Sequence, residues 1–321
     1  MKGWMVCSSE YFFYEDEEDL KIYDFEFRSG APKSDVKTII NDPAVLSNYG
    51  SSFRNLILES SYFINNSQFE SREDIINKSA ASHRFWEDIL FFTWFAKDNS
   101  ARATILTAYL YDTDTAIEMY PTEGFFNADG TNHKVVFNRH EFMFAFEVFN
   151  KFESLTQNKS KVSSDLSVPK STGFSSFSYK SNYKELNRID RAIRFLRLAR
   201  AENELSIKIA HYVLVIECLF SANDGMEIAH KLAERVANYI GQSQAESLSI
   251  FQEFKKYYNI RSKYIHGEKG TNASEADLIQ LSVTLDNLVR SVLTKVIMED
   301  SKIFLLDSTA QGDWFTSKLF K

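Results

Sequence analysis

From Tyr183 to about Met298 the chain carries five successive apolar patterns at helical spacing, and this run limits the fold more than any other feature. In the last of them Leu278, Leu281, Leu285, Leu288, Val292 and Val296 recur three or four positions apart, which sets them along one side of a helix. Ser274 stands in front as its N-cap. The earlier patterns predict helices from Tyr183 to about Ala201, Glu204 to Phe220, Met226 to Ile240 with Gly241 as the stop, and about Ala245 to His266. The second is the most apolar and is expected at the centre of an all-α bundle. In the first, Arg188, Arg191, Arg194, Arg197 and Arg200 are three apart and drift about 60° per step, so they wind round the helix. They read as a solvated face paired with acids, with an RNA-backbone track as the other reading.

The first half has a different grain. Ile22 to Phe27 alternates as a strand does, and residues 103–111, 114–120 and 134–137 are strand-like. Ser82 to Phe95 is long, apolar and poor in breakers, which predicts a buried helix. Asn138 and Glu141 form a capping box for a helix running to about Leu155. Turn signals lie at Ser29-Gly30-Ala31-Pro32, Asn48-Tyr49-Gly50 and Asn127-Ala128-Asp129-Gly130. The fold class is therefore α+β: a mixed N-terminal domain over 1–157, a Ser-, Lys- and Asn-rich linker or mobile loop over 158–182, and a helical domain over 183–321.

The net charge of −7 disfavours nucleic acid as a partner of the whole surface. Its distribution changes that reading. Up to Lys180 there are 18 basic and 26 acidic residues, and from Ser181 onward 19 and 18, so the acidity belongs to the first half. Cys7 and Cys218 form no CxxC pair, and neither a disulfide framework nor a zinc knuckle is indicated. His83, His133 and His140 are not spaced as a metal set, and His230 has no companion ligands, so structural or surface roles are expected for them. No apolar run is long enough for a signal peptide or a bilayer span, and a soluble protein of the reducing cytoplasm is expected.

The stretch Tyr257-Tyr258-Asn259-Ile260-Arg261-Ser262-Lys263-Tyr264-Ile265-His266-Gly267 holds the residue types that chemistry on a phosphodiester needs. A histidine gives or takes a proton near neutral pH, and an arginine offers a planar fork of donors to phosphate oxygens. Five helical steps leave Arg261 and His266 about 140° apart, so they converge only if the arginine wraps round the helix or the backbone unwinds near Gly267. Lys255, Lys256 and Lys263, interleaved with the tyrosines, add charge for phosphates and rings on which bases stack. Glu217, on or near the core, needs a partner if ionised. An arginine pair that orients the site and a structural salt bridge are equally compatible with it.

Taken in order, Val215 to Ser221, Glu227 to Gly241, Ile250-Phe251 and Phe254 to Gly267 resemble the Apea-like branch of the HEPN superfamily, over roughly residues 183–300. The resemblance implies a small helical bundle acting as a metal-independent, cofactor-free endoribonuclease of prokaryotic defence or toxin systems, with an Arg-x4-His motif assembled across a homodimer. Ser262 stands where many active members carry Asn, Asp or His. On this reading Arg261 and His266 are catalytic, and Asn259, Ser262, Lys263, Tyr264, Glu217 and Tyr258 support the site or hold substrate. RNA is the partner, single-stranded or transfer RNA, and the N-terminal domain is a candidate sensor for a regulatory ligand or protein. The alternative is a catalytically inactive dimerising scaffold whose N-terminal domain does the recognising.

Overall fold

In the computed structural model the residues described are 2–16, 18–23, 25–28, 34–110, 115–156, 186–222, 227–267 and 273–318. They fall into two compact units: residues up to 125 with 132–149, and residues 126–131 with 150–156 and 186–318. The expected linker over 158–182, the Ser29 to Pro32 turn and the expected helix starts at Tyr183 and Met226 lie outside the described residues. The order of the units, sheet first and helices second, is that of an α+β chain.

The first unit is built on a six-stranded antiparallel sheet. Its strands are β1 (Lys2–Glu10), β3 (Leu20–Ile22), β4 (Phe25–Arg28), β5 (Tyr62–Gln68), β6 (Arg102–Leu110) and β7 (Thr115–Met119), in the order β3-β4-β5-β1-β6-β7. Between β1 and β3, β2 (Phe12–Tyr14) pairs in parallel with β8 (Val135–Phe137) as a separate two-stranded sheet. β1 is buried on both faces. Trp4 and Val6 join Tyr62, Ile64 and Tyr109 in one core with Val36, Ile39 and Ile40 of α1 (Ser34–Ile40) and Val45 and Ile57 of α2 (Pro43–Glu59). On the other face Phe63 and Phe27 stack on Trp86 of α3 (Arg72–Phe92) at 4.2 and 5.1 Å, and Phe27 stacks on Phe142 of α4 (Arg139–Thr156) at 5.0 Å.

Several expectations are met in detail. α3 and the 3-10 turn Thr93–Phe95 cover the apolar run from Ser82 to Phe95. The Asn138 side chain accepts from the Glu141 N–H at 2.9 Å, and the Glu141 carboxylate accepts from the Asn138 N–H at 3.1 Å, completing the capping box. The expected strand over Ile22 to Phe27 needs correction: it is a hairpin, β3 and β4, that turns at Tyr23 with φ 53°. The Asn48-Tyr49-Gly50 signal marks a kink inside α2, where Gly50 has φ 71°.

The second unit is helical: α5 (Arg188–Ala201), α6 (Leu205–Phe220), α7 (Ile228–Ile240), α8 (Gln244–Ile265), α9 (Glu275–Met298), α10 (Ser301–Phe304) and α11 (Ser308–Lys318). Capping boxes open α5 (Asn187 with Asp190) and α9 (Ser274 with Asp277). α6 is central, with Val213, Val215, Ile216, Leu219 and Phe220 inaccessible. Its Tyr212 hydroxyl donates to Asp286 of α9 at 2.5 Å, and Arg290 pairs with the same carboxylate, so the buried charge has two partners. The turn at 127–130 serves this unit: Phe126 N–H donates to Arg200 O at 2.8 Å, and Ser282 Oγ donates to Ala128 O at 2.6 Å. Gly241 closes α7 without a left-handed conformation, its φ being −67°. Its requirement is space, since a Cβ there would stand 2.7 Å from Ala237 O.

The α5 arginines do not form a solvated face. Arg197 and Arg200 are buried, while Leu198 between them is half exposed. Arg188 donates to Ser221 O at 2.5 Å and to Ser308 Oγ at 2.6 Å, tying α5 to the ends of α6 and α11. Burial beside Arg191 lowers its pKa, though a guanidinium stays charged throughout the working range. Charge at three-residue spacing drifts round the helix, so part of it must face the core, and arginine tolerates that because its fork reaches backbone carbonyls.

Candidate functional site

α8 carries most of the residues singled out in the sequence and sorts them onto two sides. Phe254, Tyr257 and Ile260 are buried and fix the orientation of the helix. Tyr257 is therefore core, its hydroxyl donating to Glu253 at 3.1 Å, and is not a stacking surface for a base. Its phenol pKa is raised by burial and then by Glu253, which keeps it protonated.

Tyr258 and Arg261 flank that buried stripe. The Arg261 guanidinium lies 5.6 Å above the Tyr258 ring and donates from Nη2 to Glu217 Oε2 of α6 at 3.0 Å. Both side chains of the ion pair are 19% exposed. Burial pushes the Glu217 carboxyl above the usual glutamate range, and Arg261 pulls it part of the way back. Glu217 Oε1 and Arg261 Nε are buried without a hydrogen-bond partner among the described residues.

Asn259, Ser262, Lys263 and His266 follow one another at i, i+3, i+4 and i+7, a single stripe rotated by about 120° from Tyr258 and Arg261. Asn259 and His266 are exposed, and Ser262 and Lys263 are partly so. The helix stays regular through Ile265, and His266 is its C-cap. There His266 N–H donates to Ser262 O at 3.0 Å and Gly267 N–H to Tyr264 O at 3.2 Å, with Gly267 at φ 65°. That left-handed step suits glycine and ends the helix. Tyr264 and Ile265 are about half exposed beside it.

Within one chain Arg261, Tyr258 and Glu217 thus meet, while His266, Asn259, Ser262 and Lys263 look another way. The backbone does not unwind before His266, so the route to convergence through unwinding is closed. Of the other cations considered on α8, Lys256 pairs with Glu253 at 2.8 Å and Lys255 lies over Phe251 at 5.4 Å.

The other histidines singled out in the sequence, His83, His133, His140 and His230, behave as structural or surface groups. His83 Nε2 is hydrogen-bonded to Thr104 O at 2.8 Å in the first unit's core, His133 and His140 are exposed, and His230 meets the edge of Phe251 at 5.1 Å. No group of three or more His, Cys, Asp or Glu able to hold a metal occurs among the described residues. Among the same residues no helix is long and apolar enough to cross a membrane. Comparison with protein families, curated proteins and solved structures finds no match to this chain.

Proposed function

We propose that the helical unit is a metal-independent endoribonuclease of the prokaryotic defence or toxin type, working as a homodimer through Arg261 and His266. The supporting observation is the treatment of the two side chains: Arg261 is anchored by Glu217 at 3.0 Å, while His266 stands exposed at the end of the same helix. The resemblance of residues 183–300 to Apea-like HEPN domains supplies the reaction.

In it the 2′-hydroxyl attacks the adjacent phosphorus, its proton passes to an imidazole, and the departing 5′-oxygen takes a proton from an acid. The products are a 2′,3′-cyclic phosphate and a 5′-hydroxyl. An arginine whose orientation is set before substrate arrives stabilises the charge that gathers on the phosphoryl oxygens. Glu217 fills that setting role. One imidazole does not stand on both sides of the phosphorus, so a second copy supplies the other proton carrier, and Tyr264 and Ile265, about half exposed in the last turn of α8, offer apolar surface to such a copy.

The test is cleavage of single-stranded RNA in EDTA by wild type and His266→Ala. His266 is exposed at a helix end, so truncation is expected to move stability by no more than about 0.5 kcal/mol. Loss of a general acid or base removes about 10²–10⁴-fold of rate. A cyclic phosphate end from wild type, lost in a folded variant, is the expected result. A variant as active as wild type, activity that appears only with added Mg²⁺ or Mn²⁺, or a strictly monomeric active species in sedimentation equilibrium would overturn the proposal. Wild type inert on every RNA tried would favour the binding scaffold.

A further inference from the structure

A concave site lies in the helical unit, away from the residues of the α8 stripe. It is a cleft of about 450 Å³ walled by α7, the end of α9, α10 and α11. Lys231, Arg235, Lys295 and Lys318 line it from three helices, against two acids, Glu234 and Asp300. Aromatic surface comes from Tyr239 and Trp314, whose ring centroids are 6.3 Å apart.

Three of the four cations, Arg235, Lys295 and Lys318, are held close to a ring or a carbonyl. Lys295 donates to Tyr239 O at 2.9 Å and lies 4.6 Å above the Tyr239 ring. Lys318 lies 5.0 Å above the Trp314 ring, and Arg235 donates to Phe220 O at 2.7 Å with its guanidinium 5.0 Å from the Phe315 ring. One of the two acids is already engaged: Asp300 accepts from the Tyr239 hydroxyl at 3.0 Å. Burial, and then Asp300, raises the Tyr239 pKa, so the phenol stays neutral and adds no negative charge.

We propose that this cleft binds a nucleoside phosphate as a free mononucleotide. The ligand class follows from the lining. Ring faces next to ammonium groups take a planar heterocycle, and the excess of cations over acids takes an anion. Pockets of about 300–1,000 Å³ are the size that encloses small molecules, and this volume closes round one nucleotide rather than a strand. The proposal stands independently of the ribonuclease reading, since it uses no residue of α8.

Trp314 also supplies the probe. Trp4, Trp86 and Trp94 are inaccessible, whereas Trp314 is partly exposed and lines the cleft. The full chain is titrated with AMP, GMP, CMP and UMP while tryptophan emission is followed, with adenosine, inorganic phosphate and a short oligonucleotide as separate arms. Saturable quenching by at least one mononucleotide is expected, weakened by competing phosphate and absent in Trp314→Phe. In Lys318→Met the affinity should fall about tenfold or more, the scale on which single base-stacking or phosphate contacts act. Circular dichroism confirms that both variants are folded.

Quenching that persists in Trp314→Phe, or no saturation by any mononucleotide at millimolar concentration, overturns the proposal. So does binding of the oligonucleotide alone, which would make the cleft part of an RNA track. Because the readout is binding to Trp314, its failure leaves the RNA-cleavage test untouched, and the reverse also holds.

Discussion

Removing the Arg261 side chain takes away the hydrogen-bonded partner of a partly buried carboxylate, and the cost should depend on pH in a direction that can be worked out. A hydrogen bond to a charged group is worth about 1.5–3 kcal/mol, while an exposed ion pair is worth about 0–1 kcal/mol. The Arg261–Glu217 pair, at 3.0 Å and 19% exposed on both sides, falls between these limits. Arg261→Ala is thus expected to cost about 1–2 kcal/mol at pH 7.

The Glu217 carboxyl already titrates above its usual range because of burial, and without Arg261 it should titrate higher still. A folded-state pKa above the unfolded one means that the folded chain binds the extra proton. This contribution to stability is present at low pH and is lost as pH rises from the unfolded glutamate value through the folded one. The Arg261→Ala penalty should therefore grow from below pH 4 toward neutrality. Glu217→Gln removes the titrating group, so its own pH dependence should be flatter than that of wild type, and the double variant should recover most of what Arg261→Ala loses. Urea unfolding followed by circular dichroism at several pH values measures all four proteins. A penalty independent of pH, or one that Glu217→Gln fails to relieve, would refute the reasoning.

Other perturbations test the local accounts. Gly241→Ala should lose about 1–3 kcal/mol, the usual cost of overpacking, because its Cβ would press on Ala237 O; equal unfolding midpoints would show that the α7–α8 corner gives way freely. Ser274→Ala should lose about 1 kcal/mol by opening the capping box of α9, read from the same denaturation curves. Burial pushes the Cys218 thiol up to about 12 and the Cys7 thiol well above its ordinary range, so both should react slowly with iodoacetamide at pH 8 and rapidly in urea.

What the sequence made legible follows from how local each signal is. Asn138 with Glu141 and Ser274 with the helix behind it can be read because a cap is settled within four residues. β1 was not legible as a strand: Trp4, Met5, Val6 and Cys7 are all buried, so the alternation that marks a half-exposed strand is missing. Tyr23 broke a regular alternation into a hairpin through a left-handed residue that is not glycine. The burial of Arg197 and Arg200 was hidden because charge reads as exposure unless the partners are known. The cleft was least legible, since its cations and rings are spread from Lys231 to Lys318 and meet only when α7, α9 and α11 are packed.

The two stripes of α8 bear on how many chains a working site requires. The helix is regular through Ile265, so about 120° of rotation between the Arg261 and His266 sides is built in. Bringing the guanidinium round to His266 in one chain would break its contact with Glu217 and leave a carboxylate in a partly buried position, at a cost comparable with that expected for Arg261→Ala. A second chain avoids that loss. In the proposed dimer Arg261 keeps its anchor and acts as a fixed cation, while the exposed imidazole at the end of α8 brings the proton chemistry from the facing copy. An anchored charge and a solvent-facing proton carrier on one helix are what such an exchange between copies requires, and a regular helix keeps them apart until the second copy arrives.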